Sequence, residues 1–396
     1  MQTIKLPNVR YINTYWTRVA HVIMDYTTFK INRAWRLAYK YYGFQISGDY
    51  ITRKPKALTC FVVLITLHTL SNTVQLTLFS LAVDQFSVND LCAVVSQLAH
   101  WIQSCICLLT LYKNQNHFSR CLNQLLSNIN TNHKKQIWTY LIILVTLTIV
   151  GTILGLIIDM FLLDFFQNVE VIVDVILQII LIIHWSISNF LNDLSKTLFI
   201  YYCILLTFNF ESIIIEMKKH SSSSFAFLNK RKTLYYHHRF YKIIHWIEKI
   251  NKLFNPLLAV WITADVIYTC LMLRVCTSGK NNFILTVTLV QTAPKLMLLI
   301  LIYKYAAQVN EMARISAIKV TKLTVSNVNT YTHQMINLPE NQIDANNWQC
   351  EMLTHDVSFA SSIGIEVSGF FLITKGTILT LIGTLFTYII ILFQTQ

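Results

Sequence analysis

The chain has 396 residues, 54% of them hydrophobic and only 13% charged, whereas about a quarter of the residues of a soluble domain carry charge. Nine glycines and five prolines leave little room for a loop-rich β architecture, and apolar runs of about 20 residues, the length a helix needs to cross roughly 30 Å of hydrocarbon, recur along the chain. The net charge of +13 therefore reads as loop charge beside membrane spans rather than as a nucleic-acid footprint.

Residues 1–56 carry Lys5, Arg10 and Arg18 but no apolar core ahead of a small-residue cleavage site, so no cleaved signal peptide is expected. Arg33, Arg36, Lys40, Arg53, Lys54 and Lys56 precede the first apolar run, 57–83, and assign this segment to the cytoplasm, where Lys and Arg concentrate. The turn to the second run, 91–112, has Asp84 and Asp90 and no base. The loop to the third run, 137–163, has Lys113, Arg120, Lys134 and Lys135, and the turn to the fourth, 169–191, has Asp164 and Glu170. Charge thus alternates as inner loops and outer turns require. The acidic turns read first as ordinary solvated loops; at a pore mouth they would also concentrate cations.

The stretch 198–215 is apolar enough for an eighth crossing. The loop 218–255 argues against it: Lys218, Lys219, Lys230, Arg231, Lys232, Arg239, Lys242, Lys249 and Lys252 belong inside, and only seven crossings put them there. The stretch then continues the fourth helix, which unbroken would run about 75 Å and project into the cytosol. Comparable extensions are expected at 236–254, 306–320 and 348–364, and linkers at 221–224 and 326–347. With further runs at 256–273, 283–305 and 370–393, the expected fold is all-α: a polytopic membrane protein with seven transmembrane helices, an intracellular N-terminus and an extracellular C-terminus. Its expected parts are a cytoplasmic segment (1–56), helices one to six (57–305) with cytoplasmic extensions at about 192–255, anchor helices and linker (306–369), and a last helix (370–396).

That last helix carries Thr377, Thr380, Thr384, Thr387 and Gln394 on one face, at steps of three, four, three and seven. Threonines in a span either bond back to their own carbonyls and ease packing or line water, and one wet helix from each of several subunits makes a pore. Lys375, near the inner end, reads as an anchor snorkelling to the cytosol. Nine cysteines are scattered without metal-site spacing, so no metal and no cofactor are expected. Cys92 and Cys276 both fall at outer ends and are a candidate disulfide pair.

Strongly polar side chains inside spans are costly and mark function. In the expected outer halves these are Gln97, His100 and Trp101 on the second run, Asp159 on the third, Gln178 and His184 on the fourth, Asp265 and Tyr268 on the fifth, and Gln291 on the sixth. With Trp185 and Trp261 as further aromatic walls, they are the candidate ligand pocket; helix-to-helix hydrogen bonding is the competing role for each.

The C-terminal Thr387, Tyr388, Ile389, Ile390, Ile391, Leu392, Phe393 and Gln394 resemble the signature of the insect gustatory receptors, which belong with the insect odorant receptors in one superfamily of seven-helix channels. Gly369 to Thr374 is similar to the Gly, Phe, apolar segment that opens the family's pore helix. The resemblance implies a homotetrameric, nonselective cation channel or a heteromer with related receptors, in the plasma membrane of sensory neurons. By the same resemblance a small-molecule tastant would bind in the outer half, lipid would surround the spans, and the last helix would line the pore. Gln394 would stand at the outer constriction. Thr395 replaces the family Phe there, so Phe393 or Ile391 would have to supply the apolar seal. Outer halves rich in Leu, Ile and Val tilt the tastant towards bitter-type plant compounds, with sugars as the alternative.

A metabotropic receptor would need the opposite orientation. A secondary transporter would need inverted repeats and paired broken helices, whereas Pro256 and Pro294 form no repeat. An intramembrane enzyme would need a nucleophile at a supporting distance from His184 and Asp193.

Overall fold

The computed structural model describes residues 28–39, the helical positions Val63, Thr66, Leu70 and Thr73, and residues 88–129, 131–166, 172–221, 230–278, 282–334 and 363–394. In chain order these form α1 (28–39), α2 (Val88–Ser127), α3 (Thr131–Phe166), α4 (Ile172–Ser221), α5 (Lys230–Ser278), α6 (Asn282–Gln334), β1 (Glu366–Val367), β2 (Phe371–Leu372) and α7 (Lys375–Gln394). Among the described residues the fold is all-α apart from one two-stranded hairpin. His133–Ile157, Ser186–Lys219 and Tyr235–Arg274 are long and apolar enough to cross a membrane, and Lys375–Ile391 is a shorter apolar helix.

α4 is the central rod, 50 residues without a break, and it packs against α2, α3, α5 and α6. Every residue from Leu191 to Thr207 is buried. A helix apolar on all sides is one surrounded by protein or lipid, and here protein surrounds it, which accounts for the hydropathy of 198–215 without an eighth crossing. Phe199 and Tyr202 meet Phe254 edge-on at 5.1 and 5.6 Å, and Phe118 meets Phe254 at 5.1 Å, so α2, α4 and α5 share one aromatic core. α1 caps it, with Trp35 against Tyr201 at 5.5 Å and Asn32 bonded to Asn123 at 2.8 Å.

Two helices carry an internal proline, Pro256 in α5 and Pro294 in α6. Each removes one ladder hydrogen bond, which neighbouring helices and side chains in a bundle can make good. α6 closes tightly on α3 at Pro294, because a Cβ on Gly151 would lie 3.3 Å from the proline ring; small residues permit such approaches between spans. α6 also continues to Gln334, so the start of 326–347, expected as a linker, is helical. Its residues are polar but include no glycine or proline to stop the preceding helix.

The hairpin precedes the last helix. β1 and β2 pair antiparallel with Val367 opposite Phe371, around a turn in which Ser368 has φ 48° and Gly369 φ 74°. Gly369 takes that conformation freely and Ser368 does not. Asn255 of α5 holds Ser368, accepting its N–H at Oδ1 (2.8 Å) and its hydroxyl at the backbone carbonyl (3.2 Å). The final helix therefore starts at Lys375, and Phe371 and Leu372, read from sequence as opening it, are strand.

Candidate functional site

Four helices carry polar residues at helical spacing towards one buried centre. On α2 these are Ser96, His100, Gln103 and Ser104; on α4 Asn189, Asn192, Asp193 and Lys196; on α5 Asp265 and Thr269; on α6 Gln291 and Lys295. Within each set every residue has another three or four positions away, which stacks the set on one helix face.

At the centre Lys196 Nζ holds both oxygens of Asp265, at 2.8 and 2.7 Å, with both side chains 1% exposed. Asp265 lies in the middle of the fifth apolar run, so this ion pair is at membrane depth, where an unpaired charge is least tolerable. A lysine ammonium can only donate, which fixes the order of the remaining bonds. Lys295 Nζ stands 2.7 Å from His100 Nε2, so that nitrogen accepts. His100 Nδ1 then carries the proton and donates to Gln103 Oε1 at 3.0 Å. Gln103 Nε2 in turn donates to Asp265 Oδ1 at 3.2 Å. One directed chain thus runs from Lys295 on α6 through α2 to the Asp265 carboxylate on α5, which Lys196 on α4 closes from the other side. Asn192 adds a bond to Ser104 Oγ at 2.7 Å, and Thr148 and Thr197 join α3 to α4 at 2.7 Å.

A cavity of about 150 Å³ opens beside this chain. α2 contributes Ser96; α3 Gly151, Thr152, Gly155 and Leu156; α4 Ser186, Asn189 and Asp193; α5 Tyr268 and Met272; α6 Gln291, Pro294 and Lys295. Lys295 also lies 4.0 Å over the Tyr268 ring. A wider groove of about 690 Å³ lies between α3, α4 and α6, bordered by Tyr140, Phe208, Lys304 and Tyr305. It lacks the convergent buried charges of the smaller cavity. Among the described residues no group of three or more His, Cys, Asp or Glu is placed to hold a metal.

Of the candidate ligand residues, Tyr268 and Gln291 line the cavity, and His100 and Asp265 belong to the hydrogen-bond chain beside it. Trp101 is half-buried. Trp261 is wholly buried in the aromatic core, 6.4 Å from Phe199 and 6.2 Å from Phe254. Gln97, Asp159, Gln178, His184 and Trp185 lie on helices whose side chains at those positions are outside the described ones, as do the side chains of Cys92 and Cys276. Sequence reasoning passed over Lys196, Lys295, Gln103 and Asn192 as functional groups. The signal was present: Asn189, Asn192, Asp193 and Lys196 follow the i, i+3, i+4, i+7 pattern inside an otherwise apolar helix.

α7 presents three faces. Leu385 is buried, with Ile378 and Leu381 beside it, against the α5 and α6 side of the bundle. Leu379, Phe386 and Ile390 form an exposed apolar face, at 71%, 62% and 54% exposure. Thr380, Thr384, Thr387, Ile391 and Gln394 form an exposed, largely polar face, with Thr377 half-buried at its inner end. At 100° per residue this third face covers an arc of roughly 100°. Thr380, Thr384 and Thr387 donate back to Gly376, Thr380 and Gly383 carbonyls at 3.1, 2.8 and 2.9 Å. The bonds expected of threonines in a span are therefore made, and because they use the hydroxyl hydrogens, the stripe turns acceptor lone pairs outward. Thr395 lies outside the described residues.

The hairpin ties α7 to the cavity helices. Asn310 of α6 donates to the Ile373 carbonyl at 2.6 Å and accepts from the Ile365 N–H at 3.1 Å. Asn251 of α5 donates to the Gly364 carbonyl at 2.7 Å. Glu311 of α6 pairs with Lys375 at the first residue of α7, so Lys375 is anchored by a carboxylate on the neighbouring helix. Gly364 is required by this contact: a Cβ there would lie 1.2 Å from Asn310 Oδ1.

No family model matches this sequence, and no curated protein matches it. Solved structures do. The olfactory receptor OR5 of the insect Machilis hrabei in complex with eugenol superposes with a TM-score of 0.70 at 12% identity, over 95% of this chain and 99% of that one. A second structure of the same receptor superposes with a TM-score of 0.67 at 11% identity, over 98% of this chain and 100% of that one. This likeness over the whole length establishes a shared fold.

Proposed function

We propose that the chain is a chemosensory, ligand-gated, nonselective cation channel subunit in which α7 lines a pore shared with further copies. The observation that carries this reading is the division of α7 into three faces. One packs on its own bundle; the exposed apolar face fits lipid or a neighbouring subunit; the acceptor-rich stripe fits an aqueous cation path. The shared fold with a receptor solved around a small organic molecule supports the same reading. A homotetramer, or a heteromer with related receptors, would bring the stripes to one axis, with Gln394 at the outer constriction and Thr395 or Ile391 beside it. An inside N-terminus, an outside C-terminus and a cytoplasmic anchor belong to the same reading, the anchor starting on α4 beyond Lys196 rather than at about 192, because Lys196 is bonded to Asp265 in the middle of the fifth run. So do the plasma membrane of sensory neurons and a taste role.

Ligand energy would reach the pore through α6. Lys295 lines the cavity and Asn310 grips the hairpin, 15 residues or about 22 Å further along one unbroken helix. A ligand that binds better when α6 has shifted would move the start of α7 with it. The aliphatic outer halves support bitter-type tastants, whereas the polar cavity wall supports small hydrogen-bonding ligands such as sugars.

Whole-cell recording from cells expressing the chain alone tests the proposal. It requires a ligand-evoked cation current that persists without G-protein coupling, and a Thr384→Cys variant whose current is blocked by an impermeant thiol reagent. A Thr384→Cys current indifferent to the reagent, with unlabelled α7 at the surface, would remove this helix from the conduction path.

A further inference from the structure

We infer that the groove between α3, α4 and α6 holds a membrane phospholipid with a zwitterionic headgroup. Its phosphate lies towards Lys304, its ammonium towards Glu211, and an acyl chain follows the exposed apolar faces of α3 and α6. The inference goes beyond the channel reading above, and its test reads binding alone, so it stands or falls apart from conduction.

Three helices change from polar to apolar at one level of this groove. On the exposed face of α3, Gln136 gives way to Tyr140, Ile143 and Val150. On the exposed face of α6, read backwards, Gln308 and Lys304 give way to Ile300 and Met297. Successive members of both series lie three, four or seven residues apart, so each keeps to one face. α4 makes the floor, with Glu211 at one end, Thr207 and Phe208 between, and Ile204 at the other. Thr148 meets Thr197 and Tyr140 meets Phe208, so α3 runs antiparallel to α4 and Gln136 comes level with Glu211. Gly151 packs at Pro294 while Tyr140 and Tyr305 share the groove, so α6 runs with α4 and Gln308 falls at the same polar end.

That level is the edge of the hydrocarbon. Lys196 is bonded to Asp265 in the middle of the fifth apolar run. Along unbroken α4, Ile204 lies about 12 Å beyond Lys196 and Glu211 about 22 Å beyond it. Half the hydrocarbon thickness is about 15 Å. The groove therefore opens where a phospholipid's glycerol and headgroup sit, with its apolar end towards the chains.

The lining selects the headgroup. Lys304 is exposed, with Nζ 5.6 Å from the Tyr305 ring centroid, and Glu211 is half-buried on the facing helix. Among the described residues neither side chain makes an ion pair. A phosphate near Lys304 gains a charge-assisted hydrogen bond, and an ammonium on the same headgroup reaches Glu211 and the faces of Tyr140 and Phe208, which stand 6.2 Å apart. An anionic headgroup without an amine would meet Glu211, and a diacylglycerol would bring no charge to either. A volume of about 690 Å³ is within the range of about 300–1,000 Å³ that takes small organic ligands. It accommodates a headgroup and glycerol, and leaves the chain to Ile143, Val150, Met297 and Ile300, all of them exposed.

The test titrates the delipidated, detergent-purified full-length chain with phosphatidylethanolamine, phosphatidylcholine, phosphatidylglycerol or diacylglycerol in mixed micelles. Thermal stabilisation gives the half-saturating concentration, and native mass spectrometry counts the lipid retained. The expected result is one retained molecule of phosphatidylethanolamine or phosphatidylcholine, half-saturating at about 10-fold lower concentration than phosphatidylglycerol or diacylglycerol. Lys304→Gln and Glu211→Gln should each erase that preference and leave the lipid-free melting midpoint near wild type, because neither side chain is fully buried. Ile143→Trp, which fills the groove from an exposed position, should remove the retained molecule altogether. Tightest binding by phosphatidylglycerol overturns the zwitterionic assignment. Equal binding of all four lipids overturns the site, since lipid then only coats the spans. A preference that survives Lys304→Gln, Glu211→Gln and Ile143→Trp also overturns it, because the lipid then sits elsewhere.

Discussion

Replacing Lys196 by methionine keeps nearly the volume of the side chain and removes its charge. The structure then leaves Asp265 wholly buried with one weak donor, Gln103 at 3.2 Å, in place of two ammonium contacts below 3 Å. Removing one partner of a buried ion pair costs about 3–5 kcal/mol, because the remaining charge stays desolvated, and membrane depth does not lessen that cost. Removing both partners is another matter: Lys196→Met combined with Asp265→Leu exchanges two desolvation penalties for packing and should be close to neutral. Asp193 is the complication, since it loses its 3.8 Å neighbour in either variant. A cycle on the Asp193→Asn background removes that term. The assay is the melting midpoint of the detergent-solubilised chain by size-exclusion chromatography after heating. The single variant should fall by on the order of 5 °C, and the double variant should recover most of the loss. If Lys196→Met melts with wild type, or if the double variant is as unstable as the single, the pair is not the sealed charge couple described and the directed hydrogen-bond chain ending on it is wrong.

At the hairpin, Asn310→Ala strands the Ile373 carbonyl and the Ile365 N–H, a loss of about 1–3 kcal/mol. It should cut maximal ligand-evoked current while leaving ligand-induced thermal stabilisation intact; loss of binding instead would mean that Asn310 only supports the fold. Gly364→Ala forces the Asn310 amide aside and should match Asn310→Ala in effect, and the two together should cost little more than either alone; strict additivity would show that they do not share one contact. Burial pushes the Cys121 thiol up to about 12. Deprotonation needs a pH above that value, so at pH 8 only about one molecule in ten thousand is thiolate, and the thiolate is the reactive form. A maleimide should therefore leave Cys121 unmodified in the folded chain and label it rapidly once the protein is unfolded, where the pKa returns to about 8.5; fast labelling of the native protein would contradict the packing at the α2 end.

Charge alternation and apolar length made the bundle legible because both are one-dimensional properties: a run of 20 apolar residues or a cluster of lysines means the same wherever the chain goes. The stripe on α7 was legible for the same reason, since one helix generates it alone. What pairs across the fold was not. Lys196 and Asp265 are 69 residues apart, and Lys196 looks in sequence like a polar interruption that ends an apolar run. Only the packing of α4 against α5 turns it into the partner of a buried carboxylate. Trp261 shows the converse: its position in the fifth run suggested a pocket wall, but the helix face it occupies points to Phe199 and Phe254. Helical periodicity gives a face, and the neighbour decides what that face is for.

The asparagines make the same distinction with consequences for mechanism. Asn251, Asn255 and Asn310 are unremarkable in sequence, each lying among apolar and charged residues of a long helix. Together they hold five hydrogen bonds to a 12-residue segment, 363–374, that has almost no regular structure of its own. Two strands of two residues cannot be stable alone, so the conformation of this segment is set by α5 and α6. The last helix begins where it ends, at Lys375, and is tied there once more through Glu311. Any displacement of α6 relative to α5 must therefore be absorbed by the clamp or passed to α7. The clamp has little slack, because Gly364 leaves no room between its backbone and Asn310. With Lys295 at the cavity and Asn310 at the hairpin on one helix, cavity and last helix are joined by contacts that can be broken one at a time.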